Sequence, residues 1–159
     1  MKILVVSDTH RENSNFMKAL EREKPIDLLI HCGDIEGSEY LYSQAADCGT
    51  HMVTGNNDFF SMLPPEKTFR LGRHTVFLTH GHRYHASMGP EYLIREAIDR
   101  DADIVMYGHT HKPVATYENG IFVLNPGSLT YPRQEGRRPS YAVLEIDKKD
   151  EIKVEIKYL

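Results

Sequence analysis

Ile104-Val105-Met106-Tyr107-Gly108-His109-Thr110-His111 runs from an apolar, strand-like segment into a glycine and two imidazoles one residue apart. The same pattern recurs along the chain. Asp8-Thr9-His10 follows Ile3-Leu4-Val5-Val6, and Gly33-Asp34 follows Leu28-Leu29-Ile30. Gly55-Asn56-Asn57-Asp58 follows His51–Thr54, and His80-Gly81-His82 follows Thr75–Thr79. Each cluster offers hard or borderline metal ligands, and none offers a thiolate for a metal. A sheet presents a metal site in this way, at the ends of its strands.

The segments between these clusters set the fold class. Lys2–Val6 reads as a buried strand. Ser14 or Asn15 can cap a helix with Phe16, Ala19 and Leu20 on one face, and Pro25 stops it. After the strand at Leu28–Ile30, Ser38–Asp47 reads as a second helix with Tyr40, Leu41 and Ala45 as its apolar positions. His51–Thr54 is a third strand. This βαβαβ opening predicts parallel strands joined by right-handed crossovers.

The second half is richer in hairpins. Thr68–Leu71 and Thr75–Thr79 flank the tight-turn pair Gly72-Arg73. Pro90–Arg100 fits a helix with Leu93, Ile94, Ala97 and Ile98 inward. Val114–Tyr117 and Ile121–Leu124 form a hairpin through Glu118-Asn119-Gly120. Tyr141–Ile146 and Ile152–Ile156 alternate about Asp147-Lys148-Lys149-Asp150. The expected architecture is an α/β fold, a four-layer αββα sandwich of two mixed β-sheets flanked by helices, in one domain over residues 1–159.

Composition narrows the partners. The chain has 159 residues, with 40% hydrophobic and 26% charged residues and a formal charge of −4. That balance argues against stable nucleic-acid binding, which needs basic residues gathered on one face. Arg133, Arg137 and Arg138 read as a solvated loop, although the fork of Arg133 suits a phosphate oxygen. No apolar run approaches membrane-spanning length. The apolar run before Ser7-Asp8 is too short for a signal peptide, and Cys32 and Cys48 are too few for a disulfide framework. A cytoplasmic location is expected, and homo-oligomerisation is left open.

Asp8, His10, Asp34, Asn56, His80, His109 and His111 all lie just past strand ends. Carboxylate, imidazole and amide oxygen together suit Mn²⁺, Fe²⁺, Zn²⁺, Ni²⁺ or Co²⁺. Seven ligands are too many for one tetrahedral ion and suit two divalent metal ions, Mn²⁺ foremost, sharing a carboxylate and a hydroxide. Two such ions, two carboxylates and a hydroxide leave a net charge of about +1, which attracts an anionic phosphate ester.

The order Asp8-x-His10, Gly33-Asp34, Gly55-Asn56, His80, Gly108-x-His111 closely resembles the calcineurin-like metallophosphoesterase superfamily. Asn125-Pro126-Gly127-Ser128 resembles a further signature of its small single-domain branch. That branch holds phosphodiesterases and the small retromer subunit, which binds partner proteins. The resemblance implies that Asp8, His10 and His111 hold one ion, that Asn56, His80 and His109 hold the other, and that Asp34 bridges them. It implies attack of a metal-bridging hydroxide on a small-molecule phosphoester, most simply a diester. A phosphomonoesterase and a non-catalytic protein-binding scaffold are the alternatives.

The chain departs from the family at one position. Many relatives carry His after the motif Asn; here it is Asn57, which donates a hydrogen bond but delivers no proton at neutral pH. Asp58 is expected to orient its neighbours. His82 reads equally as a substrate contact and as a loop residue. His31, His51, His74 and His85 read as structural or exposed, and Cys32 as a core residue.

Overall fold

The computed structural model describes residues 1–159. The chain runs β1 (Lys2–Val6), α1 (Asn13–Glu23), β2 (Leu28–His31), α2 (Glu39–Ala46) and β3 (Gly49–Met52). It continues through β4 (Glu66–Leu71), β5 (His74–Thr79), α3 (Glu91–Asp99) and β6 (Ile104–Met106). The last strands are β7 (Pro113–Glu118), β8 (Ile121–Pro126), β9 (Ser140–Ile146) and β10 (Ile152–Tyr158).

Two five-stranded mixed sheets result, in the orders β10-β9-β1-β2-β3 and β4-β5-β6-β8-β7. β1, β2 and β3 are parallel, as are β5, β6 and β8. Antiparallel strands extend the first parallel set on one side, beyond β1, and the second on both sides.

Strand alternation divides the core into layers. Ile3 and Val5 of β1 pack with Ile30, Leu78, Met106 and Leu144 between the sheets. Leu4 and Val6 point the other way and pack with Phe16, Leu20 and Tyr42 beneath α1 and α2. Phe77, Val105 and Val123 form a third layer with Leu93, Ile94 and Ala97 of α3. β1 is therefore buried on both faces, which is why its sequence reads as a continuous apolar run rather than an alternating one. Each such side chain, withdrawn from water, contributes about 1.5–3 kcal/mol. The expected αββα sandwich is the observed fold.

Two helix faces differ from expectation. In α2 the inward residues are Tyr42 and Ala46, while Tyr40 and Leu41 are exposed. Apolar side chains surround much of this helix, so its sequence marks no unique face. Docking decides it: Tyr42 stacks on Phe16 at 3.8 Å and donates its hydroxyl to Asn13. In α3, Ile98 lies half in solvent, and the buried stripe ends with Ala97.

Candidate metal centre

The polar clusters that follow β1, β2, β3, β5 and β6 meet at one edge of the sandwich, where the two sheets face each other. Asp8 and Asp34 are buried there, and His80 and His111 close over them. Asp8, His10, His109, His111 and Asp34 all have positive φ, between 45° and 66°. Non-glycine residues adopt that conformation at a cost, and such strain gathers at functional sites. Two glycines make the close approach possible. A Cβ on Gly55 would collide with the Asp34 carboxylate, and one on Gly108 would collide with Ser7 and Asp8.

Three imidazoles share one arrangement. His10 Nδ1 faces Glu36 Oε1 at 2.7 Å, His80 Nδ1 faces the Cys32 carbonyl at 2.7 Å, and His111 Nδ1 faces the Tyr131 carbonyl at 2.7 Å. In the neutral ring that binds a metal, an outer acceptor on Nδ1–H leaves Nε2 as the lone-pair nitrogen and fixes the ring's direction. All three Nε2 atoms then converge on carboxylates. His111 Nε2 lies 3.0 Å from Asp8 Oδ1. Asp34 Oδ2 lies 3.4 Å from His80 Nε2 and 3.7 Å from His10 Nε2.

Asp8, His10 and His111 form one group able to hold a metal ion, and Asp8, Asp34 and His80 form another. Asp8 Oδ1, His10 Nε2 and His80 Nε2 are buried with no hydrogen-bond partner. An unpaired buried polar atom costs about 1–3 kcal/mol, so three together indicate a cationic ligand that satisfies them. The donor set fits divalent metal ions.

Electrostatics follows from this crowding. Burial pushes the Asp8 carboxyl up, but the His111 imidazole 3.0 Å away and the nearby His80 outweigh it and hold the pKa below the usual range. Asp34 is lowered in the same way, with His80 as its main partner. Burial would depress His80, yet Asp34 and Asp8 raise it to about 9. His82 is depressed to about 4 by burial and by its neighbours His80 and His109.

The remaining expected residues take distinct places. Asn56 and His109 pair with each other, Oδ1 to Nδ1 at 3.0 Å, and the His109 ring stands edge-on to His80 at 5.2 Å. Asn57 donates its backbone N–H to Asp34 Oδ1 at 2.8 Å and its side-chain amide to Oδ2 at 2.7 Å. Asp58 accepts the backbone N–H groups of Asp34, Ile35, Glu36 and Gly55. His82 lies 5.5 Å from the His80 ring, and its Nδ1 is buried without a partner.

One partner is absent from the sequence reading, and the Asn125–Ser128 signature and Arg133 take defined places. Glu36 is the carboxylate behind His10, and nothing but its position two residues past Asp34 could have suggested it. Asn125 binds the Gly108 carbonyl and Thr110, and Ser128 binds the Asp8 carbonyl, so this turn braces two ligand loops. Arg133 is exposed, but it lines the mouth of the pocket with His10, Asn57, His109 and Tyr131. Of the other histidines, His31 is buried against Thr9, His51 stacks on Phe69, His74 pairs with Asp103, and His85 is exposed.

The family model for the calcineurin-like phosphoesterase superfamily domain matches residues 1–149. The chain belongs to this superfamily. A probable metallophosphoesterase from Mycoplasma genitalium is 32% identical over 99% of this chain and 95% of its own length. Phosphodiesterase YfcE from Escherichia coli is 40% identical over 88 residues, 55% of this chain and 44% of that protein. Two solved structures share the calcineurin-like sandwich. A conserved uncharacterized protein from Streptococcus pneumoniae superposes with a TM-score of 0.85 at 32% identity, covering 99% of this chain and 88% of that one. A single mutant of Vps29 from Entamoeba histolytica superposes with a TM-score of 0.80 at 26% identity, covering 100% of this chain and 99% of that one. No helix of the chain is long and apolar enough to cross a membrane.

Proposed function

We propose that the chain is a dinuclear-metal phosphodiesterase. The observation that carries this reading is the set of buried, unpartnered donor atoms, Asp8 Oδ1, His10 Nε2 and His80 Nε2, gathered around Asp34. Asp8, His10 and His111 would hold one ion; His80, His109 and Asn56 would hold the second. By the motif order Asp34 would bridge; its Oδ2 stands 3.7 and 3.4 Å from an imidazole nitrogen of each set, and Asp8 Oδ1 stands 3.8 and 3.9 Å from the same two nitrogens. Two bound divalent ions supply Lewis acidity at the phosphoryl oxygens and lower the pKa of water enough to make a nucleophile near neutral pH.

The chain's own residues do the rest. Asn57 and Asp58 hold the Asp34 carboxylate and its loop in one orientation. Arg133, at the mouth, supplies a fork for a non-bridging phosphate oxygen. Hydrolysis forms a bond from a water oxygen to phosphorus and breaks the bond to the leaving oxygen, releasing a phosphomonoester and an alcohol. Asn57 cannot deliver a proton to that leaving oxygen. The partial match to phosphodiesterase YfcE supports diesters over monoesters.

The likeness to Vps29 supports a second reading, a non-catalytic scaffold on the same fold. Elemental analysis and hydrolysis of bis(p-nitrophenyl) phosphate separate the two. The enzyme reading requires loss of turnover on chelation and its return with Mn²⁺ or a neighbouring ion. If no divalent ion supports hydrolysis across a broad phosphoester panel, the scaffold reading replaces it.

A further inference from the structure

Beside the metal centre lies an apolar wall that neither the ligands nor the core explains. Phe60 is 100% exposed, Met62 98%, Phe59 80% and Tyr40 78%. These four side chains line one groove of about 660 Å³ together with Arg11, Glu36, Glu39 and Asn57. Contiguous exposed apolar surface of this kind marks a binding site. The volume suits a small organic ligand, for which sites run from roughly 300 to 1,000 Å³.

The groove adjoins the metal centre. Asn57 lines both this groove and the metal pocket. The wall is also held in place relative to the ligands. Asp58, which directly precedes Phe59, accepts the N–H groups of Asp34, Ile35, Glu36 and Gly55. Its carbonyl accepts the Ser61 N–H at 3.2 Å, and Thr54 N–H reaches the Pro64 carbonyl at 3.0 Å, closing the loop at its base. Across the groove, Arg11 is tied to the Glu36 carbonyl at 2.9 Å. An aromatic face on a braced loop, with Arg11 set against the carboxylates of Glu36 and Glu39, leaves no net positive charge in the groove and so matches an uncharged planar ring carried on one arm of the phosphate rather than a second anion.

We infer that this groove is the subsite for the organic arm of the diester and takes a planar aromatic ring such as a nucleobase, stacked on Phe59, Phe60 or Tyr40. The inference rests on the phosphodiesterase reading and names its substrate class. Stacking of one base on an aromatic side chain changes affinity by roughly tenfold or more.

The test compares two diesters with the same leaving group, using the Mn²⁺-loaded full chain. One is the p-nitrophenyl ester of thymidine monophosphate, and the other is methyl p-nitrophenyl phosphate. The thymidine ester should have a KM lower by about tenfold. Tyr40→Ala and Phe60→Ala, singly and together, should erase that advantage while leaving the methyl ester unchanged. Equal kcat/KM for the two esters in the parent, or an equal fall for both in the variants, would overturn the subsite. Both side chains lie in solvent, so the variants keep the core, which circular dichroism checks. Calorimetric binding of phenylphosphonate and methylphosphonate decides the matter without turnover. Preference for the phenyl compound, lost in the variants, keeps the subsite even if no diester is hydrolysed, and in that case only the enzyme reading fails. A parent that sediments as a dimer and a Phe60→Ala variant that sediments as a monomer would make the wall an interface between copies and overturn the proposal.

Discussion

The Asp58 carboxylate holds the backbone of Asp34: Oδ2 accepts the Asp34 N–H at 2.8 Å. The same oxygen takes the Gly55 N–H at 2.7 Å, and Oδ1 takes Ile35 and Glu36 at 2.9 and 2.6 Å. One buried side chain thus ties the loop after β2 to the loop after β3. Asp58→Ala leaves four N–H donors without this acceptor. A hydrogen bond to a charged group contributes about 1.5–3 kcal/mol, and relaxation recovers part of the loss. We expect the metal-free protein to lose about 2–4 kcal/mol, read by urea denaturation. A change under about 0.5 kcal/mol, within the usual range for an inert surface substitution, would show that water replaces the carboxylate fully.

Asp34→Asn tests the bridge. The substitution removes a charge shared by both proposed ions while nearly preserving side-chain volume. Metal analysis should show reduced occupancy at both sites, turnover should fall nearly to background, and the circular dichroism spectrum should be unchanged. Two tightly held metals with near-parent activity would sink the bridging role.

His31 predicts an acid-sensitive fold. Full burial depresses its pKa from 6.5 to about 3, so the folded chain keeps it neutral while the unfolded chain protonates it below 6.5. Its stabilising contribution is therefore complete above pH 6.5 and is lost as pH falls toward 3. The slope is up to about 1.4 kcal/mol per pH unit. His80 acts in another window: its raised pKa gives a contribution present below 6.5 and lost as pH rises through about 9. Stability of the metal-free parent minus that of His31→Gln, measured from about pH 7 to about pH 4, should decline with falling pH. A flat difference would mean that the folded state admits the proton.

Asn57 sets the expected leaving-group dependence. With no proton donor there, aryl diesters should react much faster than alkyl diesters. General acid help is typically worth about 10²–10⁴-fold, so the gap should be plain across leaving groups of increasing pKa. Asn57→His should flatten that dependence by speeding the alkyl substrates. A shallow slope in the parent would show that another group already supplies the proton.

The amino-acid sequence by itself determined the layered fold and the order of the candidate ligands. Both are local properties: apolar runs such as Ile3–Val6 end in a carboxylate or imidazole, and each is read within a few residues. The tertiary structure alone decided how those groups face one another. His10 is aimed by Glu36 and His80 by the Cys32 carbonyl, across 26 and 48 residues of chain, distances no local pattern spans. Tyr42 rather than Tyr40 points inward in α2, because packing against Phe16 outweighs a weak helical pattern. The same docking leaves Tyr40 beside Phe59, Phe60 and Met62 on one open groove. Periodicity records which residues can be buried; only the meeting of distant surfaces settles which are.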